Sequence, residues 1–95
     1  MFSIELLTNG QLRLQGRLDA NQSDFAQQQL ERFPEVDHFD LSQLDYISSA
    51  GLGLLVKVHK TLMDSDKRLK LSHLSTSIRD IMRYSGLDQL FEIQG

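Results

Sequence analysis

Apolar and polar positions alternate at the start of the chain, with Phe2, Ile4 and Leu6 in one run and Leu12 and Leu14 in a second. A period of two is the signature of a strand with one buried face. Thr8-Asn9-Gly10 stands between the runs, and because Asn and Gly both tolerate positive φ, the pattern predicts an antiparallel hairpin over Phe2 to Leu7 and Gln11 to Leu14. Gly16-Arg17-Leu18-Asp19-Ala20-Asn21 then reads as a polar break that carries possible helix caps. Phe25, Leu30 and Phe33, set in a Gln-rich segment, predict a helix running up to Pro34 with its glutamines toward solvent. Val36, Phe39 and Leu41 predict a third strand, which ends where Asp40 and Ser42 meet a short polar turn.

From that turn the period changes. Leu52, Leu55, Val56 and His59 recur at helical spacing and predict a helix from about Ser49 to Met63, stopping near Asp64-Ser65-Asp66. Leu69 and Leu71 make a fourth strand, and the strand, helix, strand order implies a right-handed parallel crossover. Ser75 or Thr76 caps a last helix through Tyr84, with Ile78, Ile81 and Met82 inward and Ser85-Gly86 as its stop signal. Leu87, Leu90, Phe91 and Ile93 complete the core. The expected fold class is α/β: one domain with a mixed sheet of four or five strands and helices packed on it.

Composition narrows the function. At 95 residues without cysteine, the chain is long enough to bury a core unaided, has no disulfide framework or thiolate metal site, and carries no basic and apolar leader at its start. A cytoplasmic protein is expected. No apolar run is long enough to insert in a membrane, and a net charge of −3 gives no general attraction to nucleic acid. Lys57, Lys60, Lys67, Arg68 and Lys70 gather in and after the second long helix, a solvated face or a patch for an acidic partner. His38, His59 and His73 lack ligand spacing, and Asp19, Asp40 and Asp45 are more simply turn and cap residues than a metal cluster. Gly51 and Gly53 fit neither a dinucleotide fingerprint nor a P-loop, and point instead to close helix packing. With no nucleophile elbow or triad legible, the chain is expected not to be an enzyme and to need no cofactor. What remains is the serine pair Ser48-Ser49 at a helix start, where unpaired N–H groups can be capped by a hydroxyl and would favour a phosphate.

The stretch Asp40-Leu41-Ser42 followed by Tyr46-Ile47-Ser48-Ser49-Ala50-Gly51-Leu52-Gly53-Leu54-Leu55 resembles the signature of the STAS family, and within it the stand-alone bacterial anti-sigma factor antagonists. Gly16-Arg17-Leu18-Asp19-Ala20 resembles the family's second-strand exit, and Ile78 to Ile93 its last helix and closing segment, so that residues 1–95 are expected to form one STAS domain. The resemblance implies binding to an anti-sigma factor that is also a serine kinase, release of a sigma factor, phosphorylation of a serine at the start of the second helix, and reversal by a serine phosphatase. It places the acceptor on Ser49, with Ser48 second, and partner contacts on Asp19, Ser48, Ser49, Ala50, Gly51 and Leu52. Ser48 stands where the family often has Asp, and Ala50 where a second hydroxyl is common. Two other functions stay open: an accessory STAS subunit of a lipid-transporting ABC system, and direct binding of a nucleotide or small anion at the helix N-terminus.

Overall fold

The computed structural model describes residues 1–94. Strands β1 (Phe2–Leu6) and β2 (Leu12–Leu18) form the expected hairpin, antiparallel in register Ile4 to Leu14. Its turn is closed by the Leu7 N–H to Gln11 C=O bond at 2.8 Å, with Gly10 at φ +87° and the Asn9 Oδ1 accepting from Gln11 N–H at 3.0 Å. Strand β2 runs through the expected polar break as far as Leu18. A single 3-10 turn (Ala20–Gln22) leads into α1 (Ser23–Leu30), which ends short of Pro34. Phe25 faces out, 45% exposed, and Ala26 takes the buried position. Leu30 rather than Phe25 anchors the helix, because residues 26 and 30 share one face at a spacing of four.

The main departure from expectation is β3 (His38–Ile47), ten residues long where a strand ending near Leu41 was predicted. Its core positions are Phe39, Leu41, Leu44 and Ile47, all buried. Spacings of two, three and three do not fit a regular strand. The pairing with β2 explains them: the register slips by one residue between Arg13 and Gln15 and again between Gly16 and Arg17. Each slip places an extra residue on β3 and returns the next apolar side chain to the core face. Asp40 secures the first slip by accepting the Ser42 N–H on its Oδ1 at 2.8 Å. What reads in sequence as a polar turn is therefore a twice-bulged strand.

Helix α2 (Ser49–Met63), strand β4 (Lys70–Ser72), helix α3 (Thr76–Ser85) and strand β5 (Glu92–Gln94) complete the described chain. Ser75 caps α3 by accepting from the Ile78 N–H at 3.3 Å, and Gly86 closes it with φ +78°. The sheet order is β1-β2-β3-β4-β5, parallel from β2 onward. Every crossover moves one strand in the same direction. Right-handed connections then put all three helices on one face of the sheet, and Leu12, Leu14, Leu18, Leu41, Leu55, Leu71, Ile78 and Met82 are buried between the layers. On α2 the buried face is Gly51, Leu54, Leu55, His59 and Leu62, so Leu52 and Val56, expected inward, lie half-buried at its flanks.

The helix-free face carries a row of register neighbours across the sheet: Glu5, Arg13, Asp40, Ser72 and Gln94. Arg13 reaches Asp40 at 3.4 Å and Glu5 at 3.8 Å, and His38 Nε2 lies 2.9 Å from Ser72 Oγ. Burial alone would raise the Asp40 pKa, but the Ser42 N–H and hydroxyl and the Arg13 guanidinium outweigh it and hold the carboxyl below its ordinary value.

His59 is buried on the core side, 2% exposed. Its Nδ1 accepts the Leu69 N–H at 3.1 Å, and its ring meets Phe91 edge to face at 5.7 Å, so it ties α2 to the entry of β4 and to the closing segment. Burial, reinforced by the nearby Arg68 charge, lowers its pKa below 6.5. In the unfolded chain a histidine takes up its proton near pH 6.5, so below that pH the unfolded state binds more protons than the folded one. Folding stability should be full above about pH 6.5 and fall as the pH drops through the lower, folded-state pKa of His59. Urea midpoints measured from pH 8 to pH 5, with the His59 ring followed by NMR, check this. A flat profile would show that His59 takes up its proton equally in both states.

Candidate functional site

The serine pair lies where β2, β3 and α2 meet. Ser48 occupies the single position between β3 and α2, with φ −91° and ψ 174°, and is the helix N-cap. Its N–H donates to the Leu18 C=O at 2.9 Å, its C=O accepts from Leu52 N–H at 2.9 Å, and its Oγ accepts from Gly51 N–H at 3.2 Å. All three polar groups of Ser48 are therefore engaged. Ser49, the first helical residue, is exposed, and its hydroxyl makes no hydrogen bond among the described residues. The two adjacent hydroxyls, alike in sequence, differ in availability.

The backbone around Ser49 is polar in one sense. The N–H groups of Ser49 and Ala50 belong to the first turn of α2 and have no acceptor within it, which leaves two donors and the positive end of the helix dipole beside an exposed hydroxyl. Such a corner favours an anion over a cation.

Gly51 is the reason the corner is tight. A Cβ there would lie 2.7 Å from Ile47 Cγ1, 2.8 Å from the Leu18 carbonyl oxygen and 2.9 Å from Leu18 Cγ. Two of these belong to Leu18, one of them backbone, so the first turn of α2 rests directly on the end of β2. Gly53, expected to serve packing as well, meets nothing within 4 Å and is exposed. Only one glycine of the pair is a packing residue.

Asp19 follows Leu18 directly and so stands beside the Ser48 cap. Its Oδ1 accepts from Asn21 N–H at 3.1 Å and its C=O accepts from Gln22 N–H at 3.0 Å, which fixes the 3-10 turn as the facing wall of the corner. Of the residues expected to make the partner surface, Asp19, Ser48, Ser49 and Ala50 come together at this end of the sheet. Gly51 is buried and contributes spacing, and Leu52 is half-buried. Asp40 is drawn away into the helix-free face, and Asp45 is exposed at the second register slip. No group of three or more His, Asp or Glu side chains that could hold a metal occurs among the described residues. No helix among them is long and apolar enough to cross a membrane.

Sequence reasoning missed one feature of this end. Arg17 and Tyr46 are register partners one residue below the Leu18–Ile47 pair, and the Arg17 guanidinium lies 4.4 Å from the centroid of the Tyr46 ring. No local pattern could have paired them, because their partnership depends on both register slips of β3.

The family model described as "Mlab, STAS domain" matches residues 5–93. This chain belongs to the STAS family. BtrV of Bordetella bronchiseptica, a proposed anti-sigma factor antagonist, is 39% identical over 54 residues, which cover 57% of this chain and 47% of BtrV. The match thus spans about half the length of that relative. Solved structures share the fold. The anti-sigma factor antagonist SpoIIAA in its unphosphorylated form aligns with TM-score 0.70 at 17% identity, covering all of this chain and 88% of SpoIIAA. The phosphorylated form of the Bacillus SpoIIAA gives 0.68 at 20%, covering all of this chain and 92% of the other. An antagonist from Mycobacterium paratuberculosis gives 0.80 at 18%, covering 98% and 83%. At these identities the likeness shows the shared fold.

The packing makes three substitutions distinguishable by urea unfolding. Ser48→Ala should lose about 1 kcal/mol with the cap. Gly51→Ala should lose about 1–3 kcal/mol by overpacking against Leu18. Gly53→Ala should gain about 0.5–1 kcal/mol, since an exposed helical glycine there costs entropy and its Cβ meets nothing. Equal effects of the two glycine changes would contradict the packing described.

Proposed function

We propose that this protein is an anti-sigma factor antagonist that acts in the cytoplasm: it binds a serine-kinase anti-sigma factor, so releasing a sigma factor, and phosphorylation of Ser49 ends the complex. A serine phosphatase reverses the change, and no direct nucleic-acid contact is involved. The observation that carries this proposal is the division of labour between the two serines. Ser48 spends its hydroxyl on the helix cap, while Ser49 presents a free hydroxyl beside two unpaired N–H donors. The partial match to BtrV and the fold shared with SpoIIAA, a protein known in unphosphorylated and phosphorylated forms, support the same assignment.

The physical chemistry of the corner gives the switch its direction. A phosphate adds about −1.5 to −2 charges and three acceptor oxygens. On Ser49 it would meet the free N–H groups of α2 and the positive end of its dipole, so the domain itself tolerates the modification. A docked partner does not, because the charge must be desolvated or repelled at the interface. A cost of about 1.4 kcal/mol to the complex is enough for a tenfold loss of affinity. Asp19, Ser48, Ser49, Ala50, Gly51 and Leu52 form or shape the docking surface, and the departure from an acidic residue at Ser48 leaves the cap intact because the hydroxyl accepts the Gly51 N–H.

A second function is favoured by the family model itself, whose description, Mlab, is not that of an antagonist. As an accessory subunit of a lipid-transporting ABC system, the domain would dock on an ATPase, with Ser48 as cap and Ser49 as an ordinary first-turn residue. Quantitative pull-down from native extract separates the two. With the wild-type chain, Ser49→Ala and Ser49→Asp as baits, the antagonist retains a serine-kinase anti-sigma factor on the first two and loses it at least tenfold on the third. Incubation with that kinase and Mg-ATP should modify the wild type on Ser49 and leave Ser49→Ala unmodified. An ABC ATPase captured equally by all three baits would establish the second function instead.

A further inference from the structure

We infer that the Arg17–Tyr46 pair, on the helix-free face just below the corner, is a cationic anchor for the docked partner, and that it selects a partner presenting a carboxylate to that face. This rests on the antagonist function proposed above and adds the chemistry of the partner's contact.

The placement comes from the strand register. Leu18 and Ile47 are paired and both buried, so their neighbours Arg17 and Tyr46, also paired, project from the helix-free face one residue below the corner. Leu18 is the residue whose carbonyl holds the Ser48 N–H at 2.9 Å. A partner that covers Ser49 and extends over the Leu18–Ile47 end of the sheet onto its helix-free face meets Arg17 there.

The chemistry separates Arg17 from the other cations. Arg13 is paired with Asp40 and Glu5, Lys70 with Asp37, and Arg83 with Asp80, while Arg68 donates to the Leu90 carbonyl. Arg17 is exposed and, like Arg32, Lys57 and Lys60, makes no ion pair among the described residues, but of these four it alone stacks on an aromatic ring, the face of Tyr46, itself 37% exposed. Stacking on an aromatic ring leaves the guanidinium edge free to donate two parallel hydrogen bonds to a carboxylate. It also restricts the long side chain before binding, which lowers the entropy lost on docking. Arg and Tyr are the residue types that dominate interface energetics.

The test uses the purified anti-sigma kinase recovered by the Ser49→Ala bait, titrated against Arg17→Glu, Arg17→Gln, Arg17→Lys and Tyr46→Phe, each first shown to keep its urea midpoint. Arg17→Glu should weaken binding at least tenfold and Arg17→Gln by about half that factor on a logarithmic scale. Arg17→Lys should fall between wild type and Arg17→Gln, and Tyr46→Phe should stay within twofold of wild type. The salt dependence of the wild-type affinity should flatten in Arg17→Gln, and one Asp→Lys or Glu→Lys change in the kinase should restore binding to Arg17→Glu. Wild-type binding with Arg17→Glu and Arg17→Gln both within twofold of it overturns the inference while leaving the antagonist function standing. Failure of the wild type to recover a kinase overturns both.

Discussion

The contact on which the rest of this structure depends is the seating of the first turn of α2 on the end of β2. Ser48 donates to the Leu18 carbonyl, and Gly51 approaches the same residue more closely than any side chain would permit. This one junction fastens the ends of β2 and β3 to the start of α2, and with the 3-10 turn after Asp19 it defines the corner. Bonding through three groups of Ser48 leaves Ser49 with nothing to do structurally. A rigid corner and an idle hydroxyl on its rim suit the modification switch proposed above: a charge added there would leave the domain folded and act on whatever is docked there.

Two faces of the sheet divide the remaining labour. The three helices lie on one face because each parallel crossover advances in the same direction with the same hand. The core between them is aliphatic with Phe2, Phe39 and Phe91 among it, and His59 is its buried polar residue, bonded through Nδ1 to the Leu69 N–H. The other face carries charge and hydrogen bonds in rows, from Glu5 through Arg13 to Asp40 and Ser72. Asp40 belongs to that face and to the strand, not to the corner. Its carboxylate holds the Ser42 N–H at a register slip, so its contribution to the corner is indirect: it shapes the strand that delivers Ser48 to Leu18.

Much of this was legible in the chain. The hairpin, the span of α2, the capping serine of α3 and its terminating Gly86 all rest on local chemistry: period two, period near four, hydroxyls that accept at helix starts, and a glycine that adopts positive φ. The serine pair was legible for the same reason. The length of β3 was not, because bulges alter the spacing of its apolar residues and leave Ser42 to Tyr46 looking like a turn. Phe25 misled in the opposite way, since a helix can bury Ala26 and Leu30 on one face and leave an aromatic at position 25 outside it.

The sequence by itself determined the N-terminal hairpin, where α2 and α3 begin, and that a hydroxyl pair stands at a helix start, since each follows from the preferences of a few adjacent residues. Only the tertiary structure decided which serine of the pair is free, which glycine is a packing residue, and that Arg17 stacks on Tyr46. Those depend on the register between β2 and β3, which joins residues nearly thirty positions apart. No local preference encodes that register, and it is set only when Leu12, Leu14, Leu18, Phe39, Leu41, Leu44 and Ile47 are all brought to the same side of the sheet.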